Sequence, residues 1–208
     1  MSQFFTVHPL NPQRRLVHRC VEILRSGGVV VYPTDSCYAL GCLLGDKAAM
    51  DRIRVLRAAG KDHNFTLVCR DLSEIAIYAR VDNPTFRLLK AHTPGPYTFI
   101  LPATHEVPRR LQHPKRKTIG IRIPEHPVAQ AILAELGEPL MSSTLILPGD
   151  DAPLTDPEEM RSRLEHQVDL VIDGGSCGFQ PTTVVDVSSD VPRVARLGRG
   201  DPAPFMAG

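Results

Sequence analysis

Three hydroxyl-bearing clusters stand beside apolar runs: Thr34-Asp35-Ser36, Ser142-Ser143-Thr144 and Thr182-Thr183. Their side chains orient a ligand's oxygens without reacting with them, and Arg57, Lys61, Arg122 and Arg196 add the cations that pair with carboxylate or phosphate. Taken singly, each cluster reads as a cap or a turn. Together they are expected to line one cavity, because strand ends are where ligands settle in open α/β sheets. Pro33 marks such an end: it removes a donor from the strand ladder and turns the chain just before Thr34.

Other chemistries are excluded by context. Gly174-Gly175-Ser176-Cys177-Gly178 matches G-x-S-x-G, but Phe179-Gln180-Pro181 and a further strand follow it where a nucleophile elbow needs a helix. A glycine turn is the better reading. The eight histidines are scattered without H-E-x-x-H or paired Cys/His spacing, so no metal site is expected. Neither a Walker loop nor G-x-G-x-x-G is present, so any nucleotide is held some other way.

Pro108 to Arg122 carries Arg109, Arg110, Lys115, Arg116, Lys117 and Arg122 with no acidic residue, in a chain of formal net charge +1. This strip is either a solvated loop with one core-facing arginine or a phosphate-contacting surface for RNA. It contains no Phe, Tyr or Trp for stacking single-stranded bases.

The elements that must position these groups follow from periodicity. Leu16, Val17, Cys20, Ile23 and Leu24 share a face of a helix over residues 13 to 26, with Gly27 at its left-handed cap. Asp46 caps a second helix bearing Met50, Ile53 and Leu56; Pro127 and Gly137 bracket a third; Asp156-Pro157 opens a fourth through Leu164. Strands are expected at Val29–Tyr32, Thr66–Cys69, Tyr97–Leu101, Ile119–Ile123, Leu170–Ile172, Thr183–Val187 and Arg193–Leu197. This interleaving predicts an α/β (α+β) fold with a mixed sheet, since the last two strands lie too close for a helical crossover.

The bounds agree. A chain of 208 residues, 42% hydrophobic, supports one core: a single domain over residues 9–200 with a tail at 201–208. Near-neutral charge excludes a globally polycationic nucleic-acid binder. Five cysteines without a C-x-x-C pair read as reduced core thiols. With no signal segment and no membrane-length apolar run, a cytoplasmic protein without a membrane partner is expected.

Tyr32-Pro-Thr-Asp-Ser-Cys-Tyr-Ala-Leu-Gly-Cys42, Pro94-Gly-Pro-Tyr-Thr-Phe-Ile-Leu101, Thr118-Ile-Gly-Ile-Arg-Ile-Pro124, Pro181-Thr-Thr-Val-Val-Asp186 and Arg196-Leu-Gly198 occur in the order characteristic of the YrdC/YciO family. The resemblance spans nearly the whole chain and is nearer the YciO branch than the threonylcarbamoyl-AMP synthases, which activate threonine with bicarbonate and ATP for tRNA t6A modification. It implies a twisted mixed sheet with flanking helices and a concave, positively charged cavity, and an association with double-stranded RNA or tRNA. Carried over by position, Ser36, Arg122, Ser142 and Thr182 resemble the threonine-binding side. Arg57, Thr118, Thr144 and Arg196 resemble the nucleotide-binding side. No tightly bound cofactor is implied, ATP or AMP with Mg entering as a substrate complex.

Two departures stand out. Where the synthases carry K-x-R this chain has Arg57-Ala58-Ala59, and where they carry S-x-N it has Thr144-Leu145-Ile146. A cation and an amide are lost, and each phosphate-stabilising donor is typically worth about a hundred- to a thousand-fold in rate. Lys61 and His63 in the same loop are the candidates for partial compensation or proton transfer. The expectation is therefore a protein that binds RNA and a nucleotide or threonylcarbamoyl-type ligand with weakened synthase capability. An active synthase, a hydrolase of threonylcarbamoyl groups and a purely RNA-binding module are the alternatives.

Overall fold

The structure, a computed structural model, describes residues 1–60, 64–189 and 191–206. Its strands are β1 (Gln3–Thr6), β2 (Val30–Tyr32), β3 (Ala39–Leu43), β4 (Thr66–Val68), β5 (Tyr97–Pro102), β6 (Thr118–Arg122), β7 (Leu140–Thr144), β8 (Leu170–Asp173), β9 (Thr183–Asp186) and β10 (Arg193–Arg196). Its helices are α1 (Arg14–Arg25), α2 (Lys47–Leu56), α3 (Leu72–Tyr78), α4 (Asn83–His92), α5 (Pro127–Leu136) and α6 (Pro157–Leu164). The strands form one mixed sheet in the order β1-β8-β2-β3-β7-β4-β6-β5-β9-β10. The expected α/β class with a mixed sheet is the observed one.

The helix ends follow the local chemistry. The Asp46 carboxylate accepts from Ala49 N at 2.9 Å to start α2, and Asp156 accepts from Glu158 N and Glu159 N to start α6. Gly27 (φ 82°) and Gly137 (φ 77°) take the left-handed turn that ends α1 and α5. Two helices escaped the periodicity reading, α3 and α4. Both are capped by aspartates, Asp71 accepting from Glu74 N and Asp82 from Thr85 N, and each buries little, so no apolar stripe marked them.

Three strands were also missed, for different reasons. β3 mixes small residues and glycine, and β7 holds three hydroxyl residues, so neither looks like a β-branched run. Ser142, Ser143 and Thr144 form the carboxyl-terminal end of β7, the kind of strand-end position expected of them from the sequence. β1 lies outside the expected unit of 9–200, yet it pairs parallel with β8 through Gln3↔Leu170 to Thr6↔Asp173. At the other end, Phe205 is buried and packs on His92, Tyr97 and Phe99, with ring centroids 4.7, 5.6 and 6.1 Å away. The fold thus reaches into the expected tail as well, because an apolar ring there completes the core.

Cross-strand register divides the sheet faces. Val30, Tyr32, Leu140, Val68, Leu170 and Ile172 share a cluster with Val17, Val21 and Leu24 of α1 and with Val128, Ile132 and Leu133 of α5. Val31, Leu40, Leu67, Met141 and Val171, one residue out of step, join Met50, Ile53, Met160 and Leu164 of α2 and α6 on the opposite face. Among the described residues no helix is long and apolar enough to cross a membrane.

Candidate binding cavity

The face covered by α1 and α5 continues past them as a row of small and hydroxyl side chains. Register sets this row: Ala39 opposes Thr144, Ser142 opposes Thr66, Thr66 opposes Gly120, and Thr98 opposes Val184. Directly opposed residues point to the same face, so β3, β7, β4, β6 and β5 and the start of β9 contribute to one floor. Above it lies a cavity of about 230 Å³ lined by Thr34, Cys37, Arg57, Asn64, Thr66, Thr98, Arg122, Ser142, Ser143, Thr144, Ile146, Thr182 and Arg196, with no acidic side chain among the described residues.

Local geometry explains why small residues occupy the row. A Cβ on Gly41 would lie 2.8 Å from a Tyr32 ring carbon, so only glycine lets that ring cross β3 and set its hydroxyl 2.8 Å from Ser142 Oγ. Ser142 also donates to Leu40 O at 3.1 Å. Burial pushes the Tyr32 phenol up to about 12, so it remains a neutral hydrogen-bonding group.

The Pro33 to Tyr38 turn joins antiparallel β2 and β3, so it is a hairpin loop, unlike the strand-to-helix crossover of an open α/β sheet. Thr34 ties it: its hydroxyl donates to Cys37 O at 2.6 Å and accepts from Ser36 N and Cys37 N. Ser36 is fully buried and accepts from Arg122 Nη1 at 3.0 Å. Arg122 Nη2 pairs with Asp35 Oδ1, and the two side chains are only 9% and 11% exposed. Among the described residues Arg122 Nε and Asp35 Oδ2 are buried without a hydrogen-bond partner. The sequence marked Arg122 as a carboxylate-binding group but did not show that Asp35 already holds it.

On the opposite wall Arg57 ends α2, donating through Nη1 to Ser143 Oγ and through Nε to Ile146 O at 3.3 Å. Arg196 Nη2 donates to Thr182 O at 2.9 Å, while Thr182 Oγ1 and Thr98 Oγ1 lie 2.8 Å apart. Burial lowers both arginines from the usual guanidinium value, and the charge of Arg196 lowers Arg57 further. Both guanidinium groups line the same partly desolvated cavity, an arrangement of like charges that an anion relieves.

Of the residues marked by the sequence, Arg57, Arg122, Ser142, Thr144, Thr182 and Arg196 line the cavity, and Ser36 touches it through Arg122. Thr118 shares the face of Gly120 and Arg122 but lies outside the lining. Lys61 and His63 fall outside the described residues. Sequence reasoning missed Thr66, Thr98, Asn64 and Cys37; alternation of threonine with apolar residues in β4 and β5 was the available signal for the first two. Burial raises the Cys37 thiol, so it lines the cavity as a neutral group. Among the described residues no group of three His, Cys, Asp or Glu side chains is placed to hold a metal ion.

The basic strip is not uniform. Arg109, Arg110, Lys115, Arg116 and Lys117 are all exposed, but Arg116 pairs with Asp186 at 2.8 Å and Arg110 donates to Gly45 O. Among the described residues Arg109, Lys115 and Lys117 make no ion pair.

Comparison with known proteins agrees with this architecture. The Sua5_yciO_yrdC family model, described as "Telomere recombination", matches residues 22–198. YciO of Escherichia coli strain K12 is 59% identical over 99% of this chain and 100% of its own. The crystal structure of E. coli YciO superposes with a TM-score of 0.95 over the same shares. A threonylcarbamoyl-AMP synthase of Chromobacterium violaceum is 31% identical over 87% of this chain and 93% of its own. P. abyssi Sua5 complexed with L-threonine shares the fold, with a TM-score of 0.87 at 22% identity over 95% of this chain and 58% of that one. The chain belongs to the Sua5/YciO/YrdC family.

Proposed function

We propose that the cavity binds a threonylcarbamoyl-type ligand carrying a nucleotide phosphate, in the chemistry that links threonine to tRNA, with synthase turnover weak. The observation that carries this reading is one enclosed face bearing aligned hydroxyls and three arginines, with Ile146 on its wall. A volume of about 230 Å³ lies below the roughly 300–1,000 Å³ of drug-sized pockets. Such a space takes an amino-acid end and a phosphate, leaving a nucleoside at the opening. Arg122 with Ser36 suits the carboxylate end; Arg57, Arg196 and Thr144 suit the phosphate. Kinship with a threonylcarbamoyl-AMP synthase supports the substrate class. Ile146 offers neither donor nor acceptor from its side chain, which supports slow adenylate formation.

The test is calorimetric binding of AMP and L-threonine beside pyrophosphate release from ATP, threonine and bicarbonate. Both ligands bind, and release runs at least about a hundred-fold below an authentic synthase assayed in parallel. Binding of neither ligand overturns the reading, and robust threonine-dependent release overturns the weak-turnover part.

RNA is the proposed macromolecular partner, approached through the cations of the 109–117 strip that remain unpaired, and a cytoplasmic role accompanies it. Arg109→Ala/Lys115→Ala weakens tRNA binding and flattens the log–log salt slope by about 1.4–1.8, the loss of two phosphate contacts. Arg116→Ala has a smaller effect, since Asp186 already holds that charge. Equal slopes for wild type and double variant, measured by filter binding across salt, would remove the strip from the interface.

A further inference from the structure

The Arg122–Asp35 pair is buried yet incomplete. A guanidinium and a carboxylate normally meet through two parallel bonds, whereas here only Nη2 and Oδ1 meet. Ser36 takes Nη1, and among the described residues Arg122 Nε and Asp35 Oδ2 are left buried with nothing to bond. Orphans of this kind are costly, and a buried ion pair offsets its desolvation only when the remaining groups are satisfied. Position distinguishes the partners: Arg122 lines the cavity and Asp35 does not. Asp35 therefore holds the guanidinium from behind while the front stays open to a ligand, and the Thr34-tied turn fixes it there.

We infer that Asp35 is an internal competitor for Arg122 and thereby the residue that sets affinity for the carboxylate end of the ligand. It neutralises most of the charge that an incoming carboxylate would meet. The ligand must share Arg122 with a residue of the chain itself, so the carboxylate is held loosely and released readily. This deepens the reading of the cavity given above and rests on it.

The test compares L-threonine with L-threoninol, which lacks the carboxylate, by calorimetry on wild type, Asp35→Asn and Asp35→Glu, with AMP as a third ligand. Asp35→Asn keeps size and one acceptor but removes the competing charge. L-Threonine then binds about tenfold tighter or more, in line with a charge-assisted bond, while threoninol and AMP keep their wild-type affinities. Asp35→Glu, which keeps the charge, leaves the threonine-to-threoninol ratio near wild type.

A parallel change for threonine and threoninol, or weaker threonine binding in Asp35→Asn, assigns Asp35 a merely structural role and overturns the inference. If neither protein binds threonine while AMP binds both, the inference fails and the nucleotide half of the cavity's reading stands. If neither ligand binds any variant, that reading fails too. Where Asp35→Asn is too unstable for calorimetry, thermal-shift rescue is read instead: threonine rescues far more than threoninol, and equal rescue overturns the inference.

Discussion

Arg122→Ala lowers folding stability by about 3–5 kcal/mol, read as the urea midpoint and confirmed by a melting-temperature drop of roughly 6–20 °C. The cause is the carboxylate left behind. Asp35 is 11% exposed and its Oδ2 lacks a partner among the described residues, so deleting the guanidinium strands a charge that water barely reaches. Ser36 Oγ loses its arginine donor at the same time. The double replacement Asp35→Asn/Arg122→Met removes both charges and recovers most of the loss, because an uncharged pair carries no desolvation debt. A cost below about 1 kcal/mol for Arg122→Ala would mean that Asp35 finds water or another donor in solution.

Arg57→Ala/Arg196→Ala weakens AMP binding by about a hundred- to a thousand-fold, while L-threonine changes by less than about threefold. Each guanidinium supplies a charge-assisted bond worth about 1.5–3 kcal/mol, and the two act on one anion, so the sum is less than additive. Burial depresses both groups, Arg57 also feels the charge of Arg196, and both line the same cavity before any anion arrives. Single variants lose about 10- to 100-fold. Equal weakening of AMP and threonine would show that the variants disturb the cavity as a whole, since Arg57 also ties Ser143 and the Ile146 carbonyl.

Much of the architecture was readable because it rests on local rules. Asp46, Asp156, Pro127, Gly27 and Gly137 announced their helix ends by side chain or by tolerance of positive φ. The β-branched strands were legible for the same reason. β3 and β7 were not, because their small and hydroxyl residues serve the cavity at the expense of strand propensity. Gly41 illustrates this: its absent side chain is what lets Tyr32 reach Ser142.

At the cavity, the arginines and hydroxyl clusters stood out by type and family spacing. Their allegiances did not. That Asp35 restrains Arg122, that Asp186 takes Arg116, and that Thr66 and Thr98 complete the floor all depend on register between strands distant in sequence. A single chain read without coordinates carries that register only weakly.

The closure of β1 onto β8 and the reach of the lining from Thr34 to Arg196 bear on how the protein is born. During synthesis the amino-terminal strand waits for a neighbour that the ribosome has yet to deliver, and the anion-holding wall at Arg196 emerges later still. Pairings so distant along the chain form slowly. A stalled or prematurely ended polypeptide would therefore carry an open sheet edge and no receptor for its ligand, which makes it a target for chaperones and proteases rather than a partly active species.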